Sequence, residues 1–442
     1  MCNSAIICPF LGHILCVLYE DGIFKVHKGD FFMAYHVMDE ANRCLNCKKP
    51  MCMEGCPIHT PIPKVISLLK EGKIDDAGWM LFENNPLTIV CSIVCNHERQ
   101  CEGNCILGRK GSPVHFSAIE NYISSTYSSK MVKGPAEPNG MKVAIIGSGP
   151  AGLTIAVLLA RKGYKVTIFE GKDKIGGVLR YGIPEFRLPK SIIDDFEYRH
   201  LILKDIKIRP NTSIGAAITI DDLFRDGYKA VFVGTGVWRP NTLKIKGETL
   251  GHVHYGINYL YSPDSFHLGE HVIVIGAGNA AMDVARTALR HGVRKMECFS
   301  VTPTVAASKH EFEYAELEGV EFHYSKIPVE ITDEGVIFAD AMENEEGRIV
   351  AVEGTETLYP ADSVIISISQ GPANKLMNTT KGLKANERGL IATDDEGHTS
   401  IPGLFASGDV VKGARTVVEA VKYSKIVAEA MDRYMRGEEG EE

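Results

Sequence analysis

Residues 44 to 57 read CLNCKKPMCMEGCP, which sets Cys44, Cys47, Cys52 and Cys56 within one short segment that closes on a Cys-Pro pair. A second run, CSIVCNHERQCEGNC, adds Cys91, Cys95, Cys101 and Cys105. Only Cys298 of the twelve cysteines lies beyond residue 105. Disulfide frameworks suit small secreted domains, whereas the rest of this chain reads as a large soluble enzyme without bridges, so metal or cluster ligation in a reducing cytoplasm is the better account. Zinc takes four ligands; an iron–sulfur cluster also takes four and favours a Cys-Pro at the end of the run. The first group has four residues where bacterial ferredoxins have two between the second and third cysteine, so spacing alone leaves both open. A redox cofactor elsewhere in the chain favours clusters, which need an electron donor.

Such a cofactor is expected from KVAIIGSGPAGLTIAVLLARKGYKVTIFE. It reads as an apolar strand over 143–146, a turn through Gly147, Gly149, Pro150, Ala151 and Gly152, a helix ending near Gly163, and a strand ending at Glu170. Gly147 permits the tight turn, Gly149 lets a pyrophosphate approach the backbone, Gly152 lets helix pack on strand, and Glu170 is spaced to hold the ribose hydroxyls of an adenosine. The signature returns at HVIVIGAGNAAMDVARTALRHG, with Gly276, Gly278 and Ala281 in the small positions. On its second strand Phe299 stands where an acid would favour NAD, and no Arg for a 2′-phosphate is present. Arg294, Lys295 and Lys309 read as solvated surface charge, and NADH is the expected coenzyme.

The elements around these motifs fit that reading. VFVGTG (231–236) and VIISISQ (364–370) read as buried strands returning between two nucleotide domains. GLFASGDVVKGARTVVEAVKYSKIVAEAM reads as a strand, a Gly408-Asp409 turn, and a helix burying Val417, Val418, Ala420 and Val421, whose N-terminus could face the pyrimidine end of a flavin. The segment from Met38 to about Lys130 is expected to be helical, with Thr60 capping a helix that starts at Pro61 and buries Val65, Ile66, Leu68 and Leu69.

Size and charge set the bounds. The 442 residues allow about three domains at roughly 150 residues each. A net charge of −8 disfavours nucleic acid or an anionic membrane as partner, and no run of eighteen apolar residues exists to span a bilayer. AIICPFLGHILCVLY (5–19) is apolar enough for a signal core, but no Lys or Arg precedes it and no small-residue cleavage site follows; a strand pair turning at Asp21-Gly22, or an extension ahead of a start at Met33, accounts for it. Cys2, Cys8 and Cys16 show no ligand spacing.

Six collinear motifs, ANRCLNC with CxxxCP, ENNPL followed by CSIVC, GSGPAG, GGVLRYGIPEFRLP (176–189), GAGNAAMD and ASGDVVKGARTVVEAV, resemble the small (beta) subunit of glutamate synthase from about Glu40 to Arg436. They also resemble the electron-input half of dihydropyrimidine dehydrogenase and the large subunit of electron-bifurcating transhydrogenases. The resemblance implies an α/β protein with an N-terminal α-helical iron–sulfur domain followed by two Rossmann-like dinucleotide-binding domains, the NAD(P)H domain inserted into the FAD domain. The implied segments are an uncertain extension over 1–37, a helical domain with two [4Fe–4S] clusters over 38–138, an FAD-binding part over 139–262, an NAD(P)H-binding domain over 263–372 and a second FAD-binding part over 373–442.

By the same resemblance, Cys44, Cys47, Cys52 and Cys105 hold one cluster, and Cys56, Cys95, Cys101 and Glu120 the other, leaving Cys91 a spare thiol. The flavin would meet Gly147, Gly149, Pro150, Ala151, Gly152, Glu170, Gly177, Leu179, Arg187, Gly408, Asp409 and Thr416. The nicotinamide coenzyme would meet Gly276, Gly278, Asn279 and Ala280. Members that use NADPH usually carry a Tyr-Arg-Arg-like run where this chain has Cys298-Phe299-Ser300.

The function implied is electron input: hydride passes from NAD(P)H to FAD, and electrons leave through clusters to a larger catalytic subunit or ferredoxin-type acceptor in a cytoplasmic hetero-oligomer. Hydride transfer between held rings demands no side-chain acid or nucleophile, and His59, His97 and His310 read as surface or satisfied histidines. A disulfide reductase on the same plan needs a redox cysteine pair near the flavin, and Cys298 stands alone. A scaffold built on zinc knuckles has no use for the second glycine motif.

Overall fold

A computed structural model describes residues 37–128 and 137–438, with the backbone of an antiparallel pair, β1 (Cys16–Tyr19) and β2 (Gly22–Lys25). A strand pair is one of the expectations for this segment; its turn, the other readings for the first 36 residues and the linker over 129–136 lie outside the described residues. The chain divides into two compact units, residues 1–131 and 132–442.

The described part of the first unit is helical. After a helical turn over 37–43 come α1 (Met51–Glu54), α2 (Ile62–Lys70), α3 (Ile74–Asn84), α4 (Thr88–Val94) and α5 (Phe116–Ser128). Val65, Ile66 and Leu69 of α2 recur at helical spacing and bury against Ala77 and Leu81 of α3 and Ile119 and Ile123 of α5. Burial of each such aliphatic side chain contributes about 1.5–3 kcal/mol. Thr60 does not cap α2. Its hydroxyl lies 3.3 Å from Cys56 Sγ and accepts from Asn84 Nδ2 at 3.2 Å, a tertiary use that outcompetes the local one, and Pro61 takes the N-cap position without a side-chain bond.

The second unit carries two parallel sheets. The first uses β3 (Lys142–Ile146), β4 (Lys165–Phe169), β5 (Lys207–Arg209) and β6 (Tyr228–Val233), with α6 (Pro150–Ala160) crossing between β3 and β4, and α7 (Val178–Tyr181) after β4. The next stretch of chain, β7 (Val253–Tyr255), α8 (Gly256–Tyr261), β8 (His271–Ile275), α9 (Asn279–Arg290), β9 (Lys295–Phe299), α10 (Lys309–Leu317) and β10 (Val320–His323), builds a second layer. An antiparallel meander, β11 (Lys326–Thr332), β12 (Gly335–Glu343) and β13 (Thr357–Pro360), leads to β14 (Ser363–Ile366). The chain then returns to the first sheet through β15 (Leu404–Ala406) and closes with α11 (Val417–Arg436).

Strand order is β15-β6-β3-β4-β5 in one sheet and β10-β9-β8-β14-β7 in the other, all pairs parallel. Because β15 adds to β6 only after the second sheet is complete, that sheet is an insertion in the first. Residues 143–146, 272–275 and 364–366 are buried on both faces, as parallel strands covered by helices require. Pro150 at the first helical position starts α6 without wasting a donor, and every residue of that helix except Leu158 and Ala160 is buried.

Candidate functional site

A cavity of about 290 Å³ runs over the carboxyl ends of β3, β4, β6 and β15. Its floor is the first glycine turn. Gly147 has φ +95°, and a Cβ there would meet the Gly234 carbonyl oxygen at 2.7 Å, so both conformation and space demand glycine. A Cβ at Gly152 would sit 2.0 Å from the Gly147 oxygen, so that residue serves close packing and stands behind the cavity wall. At Gly149 a Cβ would meet nothing nearer than 4.0 Å. That bare backbone at the N-terminus of α6, with Pro150 and Ala151 beside it on the wall, is the cradle a pyrophosphate needs, and the residues fit a bound dinucleotide.

Glu170 directly follows β4 and lines the cavity. One of its oxygens accepts from Ser148 N at 2.9 Å and from the Ser148 hydroxyl, and the other accepts from Lys172 N at 2.8 Å, which fixes the carboxylate against the turn. Gly177, Gly408, Asp409 and Thr416 also line the cavity. Burial pushes the Asp409 carboxyl up to about 6 although Arg415 N donates to it at 3.2 Å. Thr416 caps α11 through a reciprocal bond pattern with Glu419, so the positive end of that helix dipole opens on the cavity.

Leu179 is buried behind the wall. Arg187 is not on the wall either. Its guanidinium binds Asp283 of α9 at 2.7 Å and Glu311 of α10 at 2.9 Å, tying the loop after α7 to the inserted layer. Sequence reading missed Asp283 as its partner, and missed an aromatic box in which Lys172 Nζ sits 3.3 Å from the Trp238 ring centroid, 4.2 Å from Tyr181 and 4.4 Å from Tyr261. Burial there lowers the Lys172 ammonium to about 8. The available signal was Trp238, one of two tryptophans, just after the GTG segment.

In the inserted layer, Gly276, with φ +131°, and Gly278 make the second turn, and nothing lies within 4 Å of a Cβ built on Gly278. Asn279 and Ala280 open α9, and Asn279 Oδ1 accepts from Ser308 N at 2.8 Å, holding the loop after β9 across the turn. Phe299 closes β9, stacked on Phe338 at 3.9 Å and on His323 at 4.4 Å. Arg294, Lys295 and Lys309 pair with Glu270, Glu297 and Glu313. Cys298 is fully buried.

The first unit gathers the cysteines as two interleaved sets. Cys44, Cys47, Cys52 and Cys105 line one small cavity, together with Cys101. Burial and its three neighbouring thiols Cys105, Cys44 and Cys47 push the Cys52 thiol up to about 11. Glu120 of α5 raises the pKa of both Cys95 and Cys101, and Cys56 also acts on Cys101. Burial is the larger cause at Cys101, and the hydrogen bond with Cys91 is the largest at Cys95. Glu120 is buried, pushed up to about 7 by desolvation, and accepts one hydrogen bond, from Thr88 Oγ1 at 2.7 Å. It forms no ion pair among the described residues. A buried carboxylate without a cation, beside thiols that would all be anionic as ligands, fits a bound cationic iron core.

Comparison with known proteins agrees with both halves. The family model for pyridine nucleotide-disulphide oxidoreductases matches residues 141–424, and that for dihydropyrimidine dehydrogenase domain II, 4Fe-4S cluster, matches residues 25–132. The glutamate synthase [NADPH] small chain of Azospirillum brasilense is 32% identical over 90% of this chain and 89% of its own, and that of Escherichia coli (strain K12) is 31% identical over 93% and 95%. The NADP(+)-dependent formate dehydrogenase subunit beta of Moorella thermoacetica is 33% identical over 87% of this chain and 60% of its own. Among solved structures, FprA from Mycobacterium tuberculosis in complex with NADPH matches in fold, with TM-score 0.58 and 19% identity over 69% of this chain and 87% of its own. Two glycine turns on two parallel sheets, following a cysteine-rich helical unit in the sequence, and the match of 90% and 93% of this chain to the two small chains above place it in the glutamate synthase small-chain family, with a pyridine nucleotide-disulphide oxidoreductase region over residues 141–424 and a 4Fe-4S region over residues 25–132.

Proposed function

We propose that this oxidoreductase is an electron-input subunit, taking hydride from a reduced nicotinamide and passing electrons to a larger catalytic subunit or ferredoxin-type acceptor. The observation that carries this reading is the gathering of the thiolates: Cys44, Cys47, Cys52 and Cys105 line one cavity that Cys101 also reaches, while Glu120 acts on Cys95 and Cys101 and Cys56 acts on Cys101. Eight such donors, enough for two four-ligand sets, support two [4Fe–4S] clusters. When bound, FAD accepts the hydride and the clusters carry its electrons singly. The protein's share is placement. Gly149 and the start of α6 receive the flavin pyrophosphate, Glu170 holds the adenosine ribose, the start of α11 offsets charge on the flavin ring, and Gly278 with Asn279 and Ala280 receives the nicotinamide coenzyme. No side chain is required as acid or nucleophile. The name of the oxidoreductase family includes disulphide, yet the second unit holds the single buried Cys298, which supports transfer to a partner over disulfide reduction.

The coenzyme proposed is NADH. The relatives named above carry NADPH or NADP(+) in their names, but here β9 runs into Ser300 and Val301, and the nearby cations are already paired to carboxylates. Anaerobic purification with iron, sulfide and flavin counts, followed by separate NADH and NADPH titrations, tests the whole reading. About eight irons and one flavin per chain, with absorbance bleached by the coenzyme, is the expected result; zinc in place of iron would overturn it.

A further inference from the structure

We propose that the outer wall of the first thiolate cavity is the docking surface for an acidic electron-carrier protein, an inference that rests on the electron-input reading above. Three large apolar side chains stand in solvent there: Leu45 is 62% exposed, and Met51 and Ile106 are each 44% exposed. All three line the same cavity as Cys44, Cys47, Cys52 and Cys105. An apolar centre in contact with water, with Met as an adaptable member, is the composition of a protein contact surface.

The rim supplies the sign of the partner. Lys48 and Lys49 lie between the second and third cysteines, and Arg109 and Lys110 end the turn that begins at Ile106; all four are exposed. Segments 44–52 and 105–113 hold these four cations and no Asp or Glu, in a chain whose net charge is −8. No ion pair occupies any of the four among the described residues. Arg43, by contrast, is engaged by Glu40 and Ser112. A cationic rim around an apolar centre, on a negatively charged chain, steers a carboxylate-rich surface to this wall, beside the thiolates. The step oxidises one reduced nicotinamide by two electrons, releases one proton and reduces two one-electron acceptors, so two encounters complete a turnover.

The test uses the full-length loaded protein and its Lys48→Glu/Arg109→Glu/Lys110→Glu variant, with NADH as donor and three acceptors: an acidic ferredoxin, a basic c-type cytochrome and a neutral quinone. Iron and flavin counts and quinone reduction are expected to match in both proteins. The second-order rate with the ferredoxin should fall about tenfold or more in the variant, and the fall of that rate with ionic strength should vanish. The cytochrome rate should rise. An unchanged ferredoxin rate with intact iron overturns the docking surface alone. An equal loss with all three acceptors also overturns it, by showing that the cations only balance charge at the thiolate site. If the unsubstituted protein binds no iron or is reduced by neither NADH nor NADPH, the electron-input reading falls and takes this inference with it; reduction by NADPH alone overturns only the coenzyme proposed, and the same comparison is then read with NADPH as donor.

Discussion

Arg187 Nη1 donates to both carboxylate oxygens of Asp283, at 2.9 and 2.7 Å, and both side chains are largely shielded from water. The pair joins the loop after α7 to α9 of the inserted layer, and Glu311 completes it. Arg187→Ala leaves two buried carboxylates facing each other and should cost about 3–5 kcal/mol, read as a lowered thermal midpoint. The Arg187→Leu/Asp283→Leu double variant should recover most of that loss. Flavin content should not change in either, because Arg187 stands off the cavity wall.

Removing ligands should halve the metal. Cys101→Ala is expected to reduce iron from about eight to about four per chain, with the spectrum of the remaining cluster intact. Glu120→Cys should instead keep the iron count and shift the potential of one cluster only, measured by electron paramagnetic resonance during redox titration, because thiolate replaces an oxygen ligand.

Coenzyme choice should respond to the end of β9. Ser300→Arg/Val301→Arg introduces the cations that a 2′-phosphate binds, and the ratio of kcat/KM for NADPH over NADH should rise by about tenfold or more. An unaltered ratio would mean that the coenzyme lies elsewhere.

Lys172 should make flavin affinity sensitive to alkaline pH. Its ammonium is lowered to about 8 by burial, so in the folded protein the charge is present below that pH and lost as pH rises through it. A cation on the cavity wall favours the anionic diphosphate. Flavin should therefore dissociate more readily above about pH 8, and Lys172→Met should bind more weakly at neutral pH but with a flat profile, both measured by fluorescence titration.

How much of this was legible in sequence depends on how local the cause is. The two glycine turns were, because the steric needs of Gly147 and Gly152 arise within one strand–turn–helix unit. The division of the cysteines into interleaved sets comes from resemblance, since spacing groups Cys56 with Cys52; the fold sets Cys56 near Cys101, a residue that also lines the Cys52 cavity. The Lys172 box draws on residues 172, 181, 238 and 261, so no window along the chain contains it. Thr60 reads as a helix cap for the same reason in reverse: local chemistry favours the cap, and its tertiary partner Asn84 is invisible until the helices pack. Arg187 was legible as important and not as to why.

The inserted layer is entered and left by two segments that run side by side: Arg239-Pro240 pairs antiparallel with Gln370-Gly371, and the cavity wall reaches Thr235–Trp238 on one segment and Gln370 on the other. A module whose chain crosses at one paired neck can be exchanged as a cassette at that seam without unravelling the host sheet, provided the acids that hold Arg187 travel with it. Evolution of coenzyme preference in such a protein has a short route, grafting one donor layer for another. The same seam makes the junction the place where a transplanted module would first betray a poor match, since its two stalks are also bricks in the flavin chamber.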